Sequence, residues 1–360
     1  MISKKSEKSS KKNERSLLLV PLIALGLLVF FNLIRDPGFF SVGLTTNNQG
    51  NAVLAGNLIS ILNGASALAI LAMGMTLVTA ASGGQDISVG AVAAIAGSVF
   101  VAVLRTGEIT AGAILLAFFA SCIVAMIFGL FNGTLVAIFR IQPMIATLIL
   151  YTAGRSIAYW INGGATPTVS SPLINYIGGF IPGIPIPTPV FIVLICGGIS
   201  ALLFKFTNLR IYIQTVGINE MAARLNGINT VGIKLLAFII LGLCVAVAGC
   251  ISVCRLGLIN HETLLIDIEM DAILAVAIGG NMLGGGKFRI TGSILGAYVI
   301  QGLTTTLYAM KISSTEIKAY KAVVIILIVA IGSPVVKSYA TKLWSMLTKK
   351  KNPSAITEGE

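Results

Sequence analysis

Charge is scarce in this chain: 11% of its 360 residues are Asp, Glu, Lys or Arg, 56% are hydrophobic, and the mean hydropathy is +0.94. Ordinary globular chains carry about 25% charged residues. Too few polar side chains remain to cover a water-facing surface, which excludes a soluble multidomain enzyme and puts the chain in a bilayer. Histidine occurs once, and the five cysteines, Cys122, Cys196, Cys244, Cys250 and Cys254, all stand in apolar stretches. With so few ligands a structural metal site is not expected, and the cysteines read as small buried apolar groups. No alternating ten-residue pattern is present, which argues against a transmembrane barrel. Acids are also few, 13 against 25 Lys and Arg, leaving a formal +12.

In a soluble protein that balance would suggest nucleic acid, but the positions of the charges argue otherwise. Basic residues cluster between long neutral stretches, and 37–85 and 156–204 are each 49 residues without a charge. About 20 apolar residues at 1.5 Å rise cross a 30 Å hydrocarbon core, so the spacing predicts spanning helices. The first 16 residues carry six basic side chains and 18 uncharged residues follow, Leu17 to Ile34, with no small-x-small cleavage site before Arg35. This reads as an uncleaved first span. Further spans are expected at 60–81, 87–104, 109–138, 143–162, 187–206, 233–254, 271–286, 290–310 and 319–336. The expected fold is therefore an all-α polytopic transmembrane bundle of about ten spans. The count drops to eight if 143–162, which contains Arg155, and the short, Gly-rich 271–286 do not cross; the latter is a candidate for a broken or re-entrant helix.

Either count is even, so both termini share a side. Placing them in the cytoplasm leaves 18 basic residues inside and six outside, with Arg155 within a span. The positive-inside rule thus orients the chain and accounts for the basic excess without a polyanionic ligand. The organisation is a basic cytoplasmic tail at 1–16, a transmembrane domain at 17–336 with a cytoplasmic segment at 207–232, and a second basic tail at 337–360. The neutral external loop 163–189 holds six prolines, a composition for turns and extended chain. Gly83, Gly84, Gln85, Asp86, Ile87, Ser88, Val89 and Gly90 are echoed by Gly285, Gly286, Lys287, Phe288, Arg289, Ile290, Thr291 and Gly292. Each segment leads into a small-residue-rich span, through duplication or chance. Small residues three or four apart place close-packing faces on helices, or leave room for a substrate.

The cytoplasmic segment carries the most specific local pattern. Asn219 is a good N-cap, Glu220 suits the positive helix end, Ala222 and Ala223 are strong helix formers, and Gly227 can end the helix in the left-handed conformation. A two-turn helix is predicted, with Met221 and Leu225 projecting from one face. Helices this short are marginal alone, so it must dock on its own bundle or on a partner.

Glu220-x-Ala222-Ala223-x3-Gly227 resembles the coupling-helix signature of ABC-importer permeases, which sits in a groove of the ATPase subunit. Gly74 to Val78 followed by Gly83 to Gly90 resembles the monosaccharide permeases of the ribose, xylose and arabinose type. So do Gly129 to Gly133 with Ile141-Gln142-Pro143, and Met270 to Ile273 with Gly279-Gly280. The resemblance covers nearly all of the chain between Ile61 and Ile331. Gln85 departs from the usual aliphatic residue and Phe288 from a position commonly Gly. Phe288, the run from Gln142 to Leu150, and Ile300-Gln301-Gly302 look most like the galactofuranose branch.

The resemblance implies a multi-pass permease of the bacterial cytoplasmic (inner) membrane, with no catalytic residue or cofactor of its own. It implies ATP and Mg bound by partner ABC ATPase subunits, an extracytoplasmic sugar-binding protein, a second permease copy or paralogue, and surrounding membrane lipid. The residues agree that ATP hydrolysis belongs elsewhere. In Gly280 to Phe288 the places of the first Walker Gly and of the metal-binding hydroxyl are held by Asn281 and Phe288. A gradient-driven carrier is the competing reading. All 13 acids map to loops or span ends, with Asp86 at a cytoplasmic boundary and Glu262, Asp267, Glu269 and Asp271 at an external one, which disfavours proton coupling. The acidic external segment 262–271 can contact a binding protein or simply be solvated. Arg155 either snorkels or hydrogen-bonds inside the bundle. Asn132, Gln142, Thr147, Tyr151, Gln301, Thr304 and Thr305 offer groups for sugar hydroxyls, or for bonds between helices. With Arg155 they are the pathway candidates; Gly83, Gly84, Asp86, Ser88 and Gly90 form the helix-leading motif.

Overall fold

The computed structural model describes residues 2–46 and 52–332, so the predicted tail 337–360 and the end of the last expected span lie outside the described residues. Helices dominate. The first, α1, runs Ile2–Arg35 without a break, so no structural boundary marks the end of the basic 1–16 segment. The central helices are α2 (Asn57–Ser82), α3 (Val89–Leu104), α4 (Ala111–Ala137) and α5 (Pro143–Ile161). After a seven-residue α6 (Pro172–Gly178) come α7 (Thr188–Phe206), α8 (Leu209–Ile218), α9 (Glu220–Leu225) and α10 (Thr230–Leu256). The described chain closes with α11 (Ile268–Ile278), α12 (Ile290–Ala309) and α13 (Ser314–Gly332). Among the described residues, α2, α4, α5, α7 and α10 are long and apolar enough to cross a membrane.

Two expectations need correction. The fold is not wholly helical, because Gly43–Thr46 (β1) and Ala52–Ala55 (β2) pair antiparallel in the segment between α1 and α2. The external loop contains helix α6, started by Pro172 and seated where Gly178 meets the Cys254–Arg255 backbone of α10. A Cβ on Gly178 would overlap that backbone, so the loop is anchored by close approach.

Local chemistry explains the helix ends. Gly83 (φ +67) closes α2 in the left-handed conformation and donates its N–H to Thr79 O at 3.0 Å. Thr110 caps α4 by accepting from Ala113 N at 3.2 Å, and Pro143 stands at the first turn of α5. The core is built by α2 and α10, which are mostly buried, while α7 shows most of its surface. Small residues let backbones touch: Gly129 meets the Phe238 carbonyl, Gly242 the Ala125 carbonyl, and Gly296 the Ala275 carbonyl. The small-residue faces therefore pack helix against helix.

The expected span 271–286 is not one. Helix α11 has 11 residues, about 16 Å at 1.5 Å rise, roughly half of a 30 Å core. Its beginning lies inside the bundle, because the chain leaving α10 at Gly257 turns back along α3. Ile259 and Leu264 pack on Gly97, and Leu265 and Glu269 reach Gly90, two turns lower. Residues 258–267 are thus re-entrant, and α11 continues from their inner end to Gly279, which packs on Gly292 at the start of α12. Helix α3 also starts inside: Gly154 of α5 packs on Ala91, about 16 Å along α5 from Pro143. The two echoed segments are neighbours, Gly285 (φ +94) lying against Gly83.

Candidate functional site

Where α3 begins, Asp86 organises the chain. Its Oδ1 accepts from the Ser88 N–H at 2.7 Å and the Ser88 Oγ–H at 2.6 Å. Asn132 of α4 donates its Nδ2 to Asp86 Oδ2 at 3.1 Å and to Ser88 Oγ at 2.9 Å. Thr147 of α5 accepts the Ile87 N–H at 3.1 Å. Gly84 lies against Pro143, and Gly90 against Glu269. Asp86, Ser88, Asn132 and Thr147 are all buried, so this set fixes α3 to α4 and α5. Across the fold, Asn281 does the same for α12: it accepts the Arg289 N–H at 2.6 Å and donates to Ser293 Oγ at 2.7 Å.

Arg155 reaches into the bundle and does not snorkel. Its Nη1 lies 2.8 Å from His261 O, 3.0 Å from Glu262 O and 3.3 Å from Leu264 O, donating to the carbonyls of the re-entrant segment. A run of turns that leaves these carbonyls without helix partners needs donors, and the guanidinium supplies them. Glu269, placed by sequence at an external boundary, is 2% exposed, and its Oε2 has no hydrogen-bond partner. It shares Gly90 with the Arg155 guanidinium. His261 is buried as well, its ring edge-on to Tyr159 at 5.1 Å. The segment 262–271 is therefore not a free acidic rim. Asp267 pairs with Lys318 at 2.5 Å and Asp271 with Lys321 at 2.7 Å, leaving Glu262 as its outward carboxylate. Glu269 was not legible as the acid within the bundle because it stands between Asp267 and Asp271, which pair with lysines of α13.

The pathway candidates fall into two groups. Gln142 and Tyr151 are exposed on α5, with Thr147 and Arg155 turned inward, and α5 packs on α3 and α4. Gln301, Thr304 and Thr305 belong to α12, which packs on α2, α11 and α1. Gln301 covers Gly64 of α2, while Thr304 and Thr305 donate to Ile300 O and Gln301 O of their own helix at 2.9 and 3.0 Å. Within this chain they do not form one lining.

Opposite the re-entrant segment, α8 and α9 form the predicted cytoplasmic element, with α8 an addition that the sequence reading did not foresee. Asn219 caps α9 by accepting the Ala222 N–H at 3.0 Å, and Gly227 (φ +76) ends it. Ala223 is buried, whereas Met221 is 68% and Leu225 82% exposed. Glu220 accepts from Arg224 at 2.7 Å, from Thr230 at 3.2 Å and from Lys234 of α10 at 2.6 Å. This clamp joins α9 to α10. Lys234 and Thr230 were not legible as its partners, since 14 and 10 residues separate them from Glu220.

Hydrogen bonding from Lys234 foremost, with its charge and the bonds from Thr230 and Arg224, holds the Glu220 carboxyl below its ordinary 4.5 against a smaller opposing effect of partial burial. A depressed carboxylate pKa stabilises the fold above the unfolded value and loses that contribution as pH falls through the folded value. Hydrogen exchange of the 220–227 amides, corrected for intrinsic rates, should show protection unchanged from pH 8 to about pH 5 and lost only below the usual carboxylate range. Loss near neutrality would contradict the clamp.

Three glycine segments converge beneath α8. A Cβ on Gly217 would overlap Ala80 O at the end of α2 and crowd Gly286 N, which donates to that same oxygen at 2.9 Å. Gln85, the departure noted in the sequence, donates to Leu283 O at 3.0 Å. The α8–α9 element therefore rests directly on the end of α2 and on the loop between α11 and α12.

The model of the family described as "Branched-chain amino acid transport system / permease component" matches residues 57–332. The chain is 39% identical over 313 residues to the galactofuranose transporter permease protein of Escherichia coli (strain K12), covering 87% of this chain and 88% of that one. It is 33% identical over 351 residues to the fructose import permease protein of Bifidobacterium longum (strain NCC 2705), covering 96% of each. It is 36% identical over 315 residues to the ribose import permease protein of Escherichia coli (strain K12), covering 87% and 92%.

Proposed function

The chain belongs to this transport-system permease family, and from that premise we infer that it is the membrane-spanning permease subunit of a bacterial ABC importer. Its cargo is a monosaccharide, the class of molecule named for its relatives in galactofuranose, fructose and ribose import. It is a multi-pass protein of the bacterial cytoplasmic membrane. ATP and Mg bind to separate ATPase subunits, a sugar-binding protein delivers cargo outside, and a second permease copy or paralogue completes the path. Both termini lie in the cytoplasm, which puts α8 and α9 there too. The ten apolar segments of the sequence are retained as membrane elements, with α11 reaching only half depth.

The observation that carries this reading is the exposed apolar pair Met221 and Leu225 on a capped, clamped six-residue helix. Two large apolar side chains on a rigid projection suit a groove on a partner, here the ATPase. Glu220, Ala222, Ala223 and Gly227 build the projection, and Met221 and Leu225 fill the groove. ATP-driven closure moves α9, and the glycine contacts pass that motion to α2 and the α11–α12 loop. On the pathway, Arg155 holds the re-entrant segment, and the exposed α5 face with Gln142 and Tyr151 is the part of this chain best placed to meet sugar.

Replacing Glu220 or Gly227 should lower sugar-stimulated ATPase activity about tenfold in vesicles containing the whole importer, with membrane insertion intact. Unchanged coupling would refute the role of α9. Sugar uptake by the chain alone, driven by a proton or sodium gradient, would refute the importer reading itself.

A further inference from the structure

The hairpin of β1 and β2, between α1 and α2, has no part in the site described above. Its base is held firmly. Phe39 is buried with Phe40 edge-on at 4.8 Å, its carbonyl accepts from Asn57 Nδ2 at 3.2 Å, and Gly56 lies against Ser41 O. Leu44 stands opposite Leu54, and Thr45 opposite Val53. Residues directly opposite share a face of the pair. Val53 is buried and Leu44 is 70% exposed, so one face packs on the protein and the Leu44–Leu54 face looks outward.

The two edges of the hairpin differ. Leu54 donates its N–H to Pro185 O of the external loop at 3.1 Å, which covers the β2 edge. That bond also fixes the ladder pattern, because antiparallel residues that bond across the pair alternate with residues that point their N–H and C=O away. Leu54 points away from β1, so its partner Leu44 points away from β2, and Thr46 does the same. Among the described residues nothing pairs with this outer edge of β1. Idle edges are usually protected by Lys, Pro or an inward charge. Gly43–Thr46 has none of these, and neither 37–56 nor 163–189 carries a charge.

Resting on the importer reading and orientation proposed above, the hairpin follows α1 on the external side, where cargo arrives. We propose that the outer edge of β1 docks the sugar-binding protein: an extended, uncharged segment of that protein bonds to the N–H and C=O groups of Leu44 and Thr46, and an apolar side chain of it packs on Leu44 and Leu54. Main-chain bonds supply the hold and the apolar pair fixes the register. A charged segment would find no opposite charge on either strand, so the edge complements a neutral one. The hairpin is also tied to the segment that Arg155 holds. Beyond Pro185, the Thr188 N–H bonds to Gly179 O at 2.8 Å, next to the Gly178 anchor on α10. At its other end the loop gives the Val169 N–H to Gly257 O at 2.8 Å and accepts the Ile259 N–H on Pro167 O at 3.0 Å. Ile259 belongs to the start of the re-entrant segment. A partner seated on β1 therefore acts through a hydrogen-bonded line that ends inside the bundle, a connection of use to a protein that delivers cargo and of none to a lipid surface.

The test uses the whole importer in nanodiscs with its purified sugar-binding protein, and reads the concentration of that protein giving half-maximal stimulation of ATPase activity. Leu44→Pro removes an N–H that points to the free edge and leaves every bond between β1 and β2, a position where an edge strand accepts proline. It should raise that concentration about tenfold, the factor expected when one main-chain bond is lost and its acceptor is left unpaired. Leu44→Asp keeps the backbone intact, guards against misfolding of the proline variant, and should weaken docking by roughly fivefold or more through an unpaired charge against an apolar side chain. A benzoylphenylalanine at position 44 should capture the binding protein on illumination. An unchanged half-maximal concentration in both variants, or capture of a second permease copy in place of the binding protein, would overturn the proposal. Failure of the importer reading looks different: the binding protein would then stimulate no ATPase activity in the wild type at any concentration.

Discussion

Valine at position 217 is expected to abolish coupled transport and to lower the yield of folded protein severely, with alanine intermediate. Gly217 has an ordinary helical backbone, so the requirement is for space. The place a Cβ would take is occupied by Ala80 O and crowded by Gly286 N, both backbone atoms that cannot rotate away. Forcing extra atoms into such a contact costs about 1–3 kcal/mol in a yielding core and more where backbone must move. The displacement also breaks the Gly286 N–H to Ala80 O bond, and an unsatisfied buried group adds about 1–3 kcal/mol. Thermal unfolding in detergent should register a loss of roughly 2–5 kcal/mol for Gly217→Ala. Wild-type stability and coupling in Gly217→Val would show that α8 does not rest on α2 as described.

Arg155 gives the second large effect, and its substitutions separate charge from geometry. Arg155→Met removes the donor for three carbonyls of the re-entrant segment and leaves Glu269, already short of a hydrogen-bond partner, without its nearby cation. Hydrogen bonds to charged groups contribute about 1.5–3 kcal/mol each. Because part of this cluster is exposed, the net loss should be nearer to 3 kcal/mol than to the sum. Transport should fall below a tenth of wild type, and cysteine-accessibility labelling of 258–267 should rise. Arg155→Lys keeps the charge but replaces a planar fork by a single ammonium, so it should recover part of the stability and little of the transport. Equal behaviour of the Lys and Met variants in stability would mean that the positive charge contributes nothing there.

Much of the fold was legible because a bilayer imposes a simple rule on sequence. Apolar runs of span length had to be helices, and each expected segment does hold one, down to the short piece at 268–278. The Asn219 cap and the Gly227 stop were readable because capping depends on neighbours along the chain. What the sequence concealed depends on neighbours in space. Glu269 and Asp271 are two residues apart and face opposite environments, one buried beside Gly90 and the other paired with Lys321. Gly217 carries no local mark of its contact with Ala80, and Lys234 none of its bond to Glu220. The division of the polar candidates between α5 and α12 was invisible for the same reason, since hydroxyls on two helices look alike until the packing is known.

The half-length helices give the bundle a plane of slip. Sliding one helix past another means exchanging the packing along their shared length, so the barrier grows with that length. Between α2 and α10, of 26 and 27 residues, the shared face runs most of the way through the membrane and resists such movement. The 11 residues of α11 share a far shorter face with α12, and the loop at one end of α11 touches the glycines under α8. A push delivered at α8 meets its least resistance there, so the piece of this protein best suited to move is the one that does not cross.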